Sequence, residues 1–425
     1  MKNKRFILMV LAIFLVTTMI FAQAAEESIP TADKPVKLQV WYALSGASGE
    51  NFVAIAEAFQ QDHPEIELEL TYSGKYADTA TKVSAAMLSG TNPDIAIMAA
   101  GQLYTGGRGN FDMETLAKND SDFNLADIYP GILDYAKYDE KVASLPFGIS
   151  TQVMYYNKKI MQKAGIDLSN PPKTWQEFLE VAKLAVEKGN INNSEDFYGF
   201  DTSDNVWLIK SMLAQNGNAV VKKEGNMVVP VFNETSGIEV AEFWKSLCSE
   251  KVMPEGQHSN AEKKFLAGNL AFVAASSNRI SRWGADSEFE FGAIPMPYFK
   301  KPAIFIGGNG VVIFTQEELK KNASWKFVKC ILTEETQTSF ALDTGYLPVR
   351  KSSRENPVLI KIMADNPKYK VAIDQLDYSC AYLHFSEMGT MDGYLWYALD
   401  EIEKGVSSPK KAFDDAASGL LKEME

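Results

Sequence analysis

The chain has 425 residues, is 46% hydrophobic and 23% charged, and carries a formal net charge of −13. That acidic balance argues against nucleic acid or anionic lipid as a partner, and leaves room for a small anion held by local groups. Chains beyond roughly 250–300 residues usually divide into domains, so two are expected here. Cys248, Cys330 and Cys380 are too dispersed for a disulfide framework. Dispersal of His63, His258 and His384 likewise argues against a His-rich metal site.

In chain order, Lys2, Lys4 and Arg5 precede an apolar run from Phe6 to Phe21, followed by Ala22-Gln23-Ala24. This is the pattern of a cleavable export signal, residues 1–24. The run spans 16 residues, short of the roughly 20 needed to cross a bilayer. No membrane anchor is therefore expected, and the mature chain should start near Ala25, outside the cytoplasm. Loss of the three cations takes the charge from −13 to about −16.

Val36, Leu38, Val40 and Tyr42 alternate as in a half-buried strand. The turn Ser45–Gly49 follows, then a helix with Phe52, Ile55, Ala56 and Phe59 on one face, ended by Pro64. Ile66, Leu68, Leu70 and Tyr72 form a second strand, residues 78–89 a helix, and Asp94–Ala99 a third strand. This β-α-β-α-β order implies a mainly parallel sheet with helices on both faces. Thr174 with Glu177 is a capping box opening an amphipathic helix through Phe178, Val181, Ala182 and Ala185. Further on, 235–250 reads as a helix, 289–297 as a strand entering a Pro-rich crossing, 311–314 as a buried strand, and 388 onward as helical. The expected fold is α/β with two lobes. Crossings are expected near Leu145-Pro146-Phe147 and Ile294-Pro295-Met296-Pro297.

Enzyme signatures are missing: the sequence has no G-x-x-x-x-G-K-[ST], strand-following G-x-G-x-x-G, H-E-x-x-H, C-x-x-C or G-x-S-x-G. The pair His384 and Glu387 reads as a surface or pocket contact. Aromatics and glycine-rich turns say more. Trp41-Tyr42 ends the first strand, and Tyr76 lies in the turn after the second, where open α/β sheets bind ligands. Gly307-Gly308-Asn309-Gly310 permits close backbone approach, and Ser276-Ser277-Asn278-Arg279 follows an apolar strand. Together these features point to a sugar or polyol cleft, with rings stacked on C–H faces and short polar groups bonding hydroxyls. Trp207 and Trp283 are further aromatic candidates.

A resemblance then becomes visible. V-W-Y-A-L-S-G, A-E-A-F-Q-Q-D-H-P, S-G-T-N-P-D-I (89–95), L-P-F-G-I-S-T-Q-V-M-Y-Y-N-K-K (145–159), T-W-x-E-F (174–178), I-G-G-N-G (306–310) and T-G-Y-L-P-V (344–349) span nearly the whole chain after the leader. With them the chain resembles the extracellular solute-binding proteins of ABC importers, family 1, the maltose-binding-like group. It is most similar to the glycerol-3-phosphate-binding branch, through T-Y-x-G-x-Y at Thr71–Tyr76 and T-G-Y-L-P-V. The resemblance implies a two-lobed periplasmic binding protein fold with a hinged cleft between the lobes. One lobe would hold 36–145 and 302–345, the other 146–301 and 346–425. It also implies a monomer that needs no cofactor or metal, captures a small solute in the periplasm, and hands it to ABC importer permease subunits.

Carried over residue by residue, the branch's binding groups fall on Tyr76, on Ser150 or Thr151, on Ser276 or Ser277, on Gly307 or Gly308, and on Tyr346. Tyr42, Ser45 and Asn309 join them from the reading of the turns. Two positions depart. The branch has a pocket Glu where this chain reads Met98-Ala99-Ala100-Gly101, and an Arg where it reads Ala381-Tyr382-Leu383-His384-Phe385. His384 and Arg279 are the candidate substitutes for that cation. The solute is thus a carbohydrate, or glycerol-3-phosphate or its diester, and the missing Arg favours the carbohydrate. Two other classes compete. A secreted glycan-active enzyme needs two cleft carboxylates about 5–10 Å apart. A ligand-sensing partner of a signalling receptor shares the fold.

Overall fold

The computed structural model describes residues 30–99, 113–138, 141–225, 227–256, 258–381, 383–385 and 387–424. The export-signal segment, Ala100, Gly101 and Tyr382 lie outside the described residues. Nine strands build two sheets: β1 Val36–Tyr42, β2 Ile66–Tyr72, β3 Ile95–Ala99, β4 Leu145–Ser150, β5 Gln152–Asn157, β6 Tyr198–Thr202, β7 Leu270–Ser276, β8 Phe291–Ile294 and β9 Gly307–Ile313. The helices that matter here are α1 Ala47–Asp62, α2 Tyr76–Ser89, α3 Trp175–Lys188, α4 Asn205–Gln215, α5 Thr235–Ser249, α6 Glu334–Thr344, α7 Pro367–Asp374, α8 Met388–Glu403 and α9 Pro409–Met424.

The first sheet runs β2-β1-β3-β9-β4 and the second β8-β5-β7-β6. In β1 the alternation read from sequence is realised: Val36, Leu38 and Val40 are buried while Lys37 and Gln39 are exposed. Central β3 is buried at Ile95, Ala96, Ile97 and Met98 alike, as a strand covered on both faces requires. β2, β1 and β3 are parallel. β9 returns antiparallel to β3, and β4 antiparallel to β9, so the sheet is mixed rather than mainly parallel. Thr174 caps α3 as expected: its hydroxyl accepts the Glu177 N–H at 3.2 Å, and the Glu177 carboxylate accepts the Thr174 N–H at 3.1 Å.

The chain leaves the first sheet at Ser150 and enters the second at Gln152, so the first crossing is Thr151, not Leu145-Pro146-Phe147. Pro146 misleads because it sits inside β4, opposite Gly310, where the register shifts. A strand tolerates proline at such an irregularity. The second passage runs between β8 and β9, close to the Pro-rich segment read from sequence. In a third, the chain leaves α6, which packs on α1, and donates the Leu347 N–H to the Ile149 carbonyl at 2.7 Å. It then reaches α7, packed on β5 and β8.

Gln375, fully buried, clasps the crossings. Its Nε2 donates to Thr151 Oγ1 at 3.2 Å and to the Gln152 carbonyl at 2.8 Å, and its Oε1 accepts the Met296 N–H at 2.9 Å. The second sheet is braced on α8 by a buried ion cluster. His258 bonds Asp201 at 2.6 Å and Glu403 at 2.9 Å. Burial opposes its charge, yet the two carboxylates raise its pKa to about 10. The three cysteines are free thiols. No described helix is long and apolar enough to cross a membrane.

Candidate functional site

A cavity of about 330 Å³ opens between the sheets, and both contribute to its walls. Tyr76 comes from the first-sheet side, at the start of α2 just past the turn that ends β2. Its hydroxyl meets the Tyr346 hydroxyl at 3.0 Å and accepts from Asn309 Nδ2 at 3.1 Å. The Asn309 side-chain Oδ1 takes the Gly148 N–H at 3.2 Å. Burial first, then neighbouring Tyr346, raises the Tyr76 pKa well above the ordinary phenol value, so Tyr76 acts as a neutral hydroxyl.

The floor is backbone. Gly308 has φ +115°, and a Cβ there would lie 2.0 Å from the Gly148 carbonyl oxygen. A Cβ on Gly307 would come within 2.9 Å of the Trp207 ring. Trp207 donates its indole N–H to the Phe305 carbonyl at 2.9 Å, which fixes the ring over this glycine.

The opposite wall is one face of α4. Asp204 is the N-cap, accepting the Trp207 N–H at 2.9 Å; Trp207 follows three residues on, and Lys210 three beyond that. This spacing keeps all three on one helix face. Lys210 Nζ donates to both carboxylate oxygens of Asp392, on α8, at 2.9 and 3.0 Å. The Asp204 pKa is raised, by burial first. Its bond to the helix N–H and the Lys210 charge oppose the rise, and Asp392 adds to it. Tyr135, Ser150, Ser276 and Asn278 complete the polar lining. The buried Ser276 hydroxyl has no hydrogen-bond partner among the described residues.

Of the residues expected from sequence, Tyr76, Ser150, Ser276, Gly307, Gly308, Tyr346 and Trp207 meet in this cavity. The others do not line it. Tyr42 packs its ring on Phe52 and Tyr72, 5.2 and 5.8 Å between centroids. Ser45 is exposed in the turn before α1. Thr151 and Ser277 are fully buried and bonded to each other at the crossing. Asn309, also fully buried, supports Tyr76 from behind.

Arg279 is held by Glu262, with its Nε 2.9 Å from both carboxylate oxygens. Trp283 belongs to the core, against Tyr155, Phe265 and Phe291. His384 is buried edge-on to Tyr135, and burial pulls its pKa down to about 4. It is therefore uncharged at neutral pH and supplies no cation for a phosphate.

The sequence reading missed Asp204, Lys210, Asp392 and Tyr135 as lining residues, and took Asn278 only as part of the Ser276–Arg279 turn. A signal for the first two existed: Asp204, Trp207 and Lys210 are spaced by three immediately after β6. No local pattern marked Asp392.

A family model described as bacterial extracellular solute-binding protein matches residues 54–371. The sn-glycerol-3-phosphate-binding periplasmic protein UgpB of Yersinia pseudotuberculosis is 24% identical over 407 residues, covering 89% of this chain and 90% of that protein. Among solved structures, the sugar-binding protein MalE of Xanthomonas citri superposes with TM-score 0.80 at 20% identity, covering 92% of this chain and 98% of that one. UgpB of Mycobacterium tuberculosis, in complex with glycerophosphocholine, superposes with TM-score 0.78 at 22% identity, covering 92% and 99%. These neighbours share the two-lobed architecture.

Proposed function

Because the chain belongs to the bacterial extracellular solute-binding proteins, we propose that it captures a small polyol-type solute in the periplasm and delivers it to the permease of an ABC importer. The solute is a carbohydrate, or a glycerol phosphate or its diester, the classes bound by the related UgpB and MalE proteins. The observation that carries this reading is the two-sided cavity. Tyr76 and Tyr346 face it from one side, Asp204, Trp207 and Lys210 from the other, and glycine backbone forms the floor. At about 330 Å³ it sits at the small end of ligand pockets, roughly 300–1,000 Å³. A ligand touching both walls binds the closed arrangement more tightly than the open one and so shifts the population toward it. That closed form is what the permease would recognise.

We take the lobes to divide at the three crossings, and the protein to be exported by its leader and to act as a monomer without cofactor. Binding rather than glycan cleavage is supported by the commitments of the cleft carboxylates. Asp204 caps α4, and Asp392 is paired with Lys210. Native mass spectrometry of protein recovered from the periplasm should reveal a bound small solute. Small-angle scattering of stripped and reloaded protein should show a smaller radius of gyration when loaded. Turnover of the bound compound, or an unchanged radius at saturation, would sink the proposal.

A further inference from the structure

Resting on that reading, we infer that the Lys210–Asp392 ion pair is an anion filter. Asp392 is the specificity-determining residue that restricts the cleft to uncharged, hydroxyl-bearing solutes.

The two members of the pair are not equally placed. Lys210 is the buried partner, with its side chain 5% exposed, whereas the Asp392 side chain is 35% exposed at the cavity wall. Both carboxylate oxygens accept from the ammonium, at 2.9 and 3.0 Å. The positive charge at the wall is thus neutralised by its more exposed partner, and an incoming solute meets more of the carboxylate than of the ammonium. Asp204 adds a second acid to the same wall. Among the described lining residues the formal charge is therefore one cation against two anions.

For a polyol this wall is well suited. An ionised carboxylate has about four lone-pair positions, so Asp392 retains capacity for solute hydroxyls beside its two bonds to Lys210. The ring of Trp207, on the same face of α4, offers a surface to C–H groups. For a phosphate monoester, carrying about −1.5 to −2 near neutral pH, the wall is hostile. The phosphate would have to sit beside two carboxylates or break the pair to reach Lys210. Uncompensated charge built against a competitor is a standard route to discrimination. The two other cations considered for a phosphate are already removed: Arg279 is held by Glu262, and His384 is neutral.

Replacing Asp392 by Asn removes the outer negative charge, keeps an amide oxygen that accepts one bond from Lys210, and brings the three-residue balance from −1 to 0. Anion binding should appear. The test is titration calorimetry at low salt with sn-glycerol 3-phosphate, glycerol and a set of neutral mono- and disaccharides, on wild type, Asp392→Asn, Lys210→Met and the double variant. Circular dichroism checks folding.

Wild type should prefer neutral solutes over sn-glycerol 3-phosphate. Asp392→Asn should raise the phosphate-to-neutral affinity ratio by about tenfold or more, equivalent to ~1.4 kcal/mol. Lys210→Met and the double variant should show no such gain. If Asp392→Asn does not fold, Asp204→Asn makes the same charge change while keeping a good helix cap, and should raise the ratio in the same direction. A wild type that prefers sn-glycerol 3-phosphate overturns the filter while leaving the solute-binding reading intact. So does a folded variant whose ratio does not move. Wild type that binds none of these compounds and carries no solute from the periplasm counts against the reading itself.

Discussion

Replacing Gln375 by Leu tests the clasp at the crossings and keeps much of the side-chain volume. The change removes the side-chain acceptor of the Met296 N–H and the donor shared by Thr151 Oγ1 and the Gln152 carbonyl. Gln375 is fully buried, so water cannot replace these bonds without opening the site. Orphaning one buried donor costs about 1–3 kcal/mol, and each ordinary bond lost about 1. The Thr151 hydroxyl can reorient, so the expected total is roughly 2–4 kcal/mol. Thr151→Val removes only one of these bonds and should cost about 1 kcal/mol. Urea unfolding followed by fluorescence reads the difference as a shift in midpoint at constant slope. An effect on motion separates a hinge clasp from mere packing. Spin labels on the two sheets should report a broader interlobe distance distribution in the ligand-free variant than in wild type. A loss under about 0.5 kcal/mol, within the range of an ordinary surface change, would refute the energetic reasoning. An unchanged distance distribution in a destabilised variant would refute the hinge role.

Two more outcomes are expected. His384 has its pKa lowered by burial to about 4 from the ordinary 6.5; its neutral form contributes stability fully above pH 6.5, and that contribution is lost as pH falls toward 4. Urea midpoints between pH 7 and 4.5 should therefore drop more steeply in wild type than in His384→Phe, and parallel curves would contradict the assignment. Gly308→Ala forces a side chain into φ +115° with its Cβ 2.0 Å from the Gly148 carbonyl oxygen. It should cost about 1–3 kcal/mol from backbone strain alone, with faster amide exchange along the β9–β4 seam; wild-type stability and protection would show that the floor yields.

The elements were legible wherever their cause is local. β1 follows from alternation over seven residues, and α3 from the Thr174–Glu177 pair and the apolar stripe behind it. Pro146 shows the limit. Proline signals a boundary only when no irregularity accommodates it, and the partner that does so, Gly310, lies far away in sequence. Within the site, the resemblance left Ser150 or Thr151 open, and Ser276 or Ser277. The structure puts the first of each pair at the cavity and the second at the crossing. Each pair straddles a strand end: Ser150 and Ser276 are the last residues of β4 and β7, and Thr151 and Ser277 are the first residues beyond them.

Charges were the least legible part, and the reason is general. A cation read from sequence looks available until its counter-ion is known, and counter-ions are set by topology. Arg279 seemed a phosphate ligand, but Glu262, brought alongside by the helix preceding β7, already occupies its guanidinium. Lys210 lies at the cavity on α4, a helix the sequence reading did not single out. Asp392, which neutralises it, sits on a helix 182 positions further along. Counting Arg and Lys near predicted strand ends therefore overstates how well a cleft of this fold holds anions. The sounder quantity is the charge that remains exposed to solute after the pairs have formed. Among the described lining residues that remainder is Asp204, with the Asp392 carboxylate as the more exposed half of its pair, beside the Trp207 ring. Such a surface takes hydroxyl protons readily and repels phosphate oxygens, so the solute that closes this cleft is expected to be uncharged.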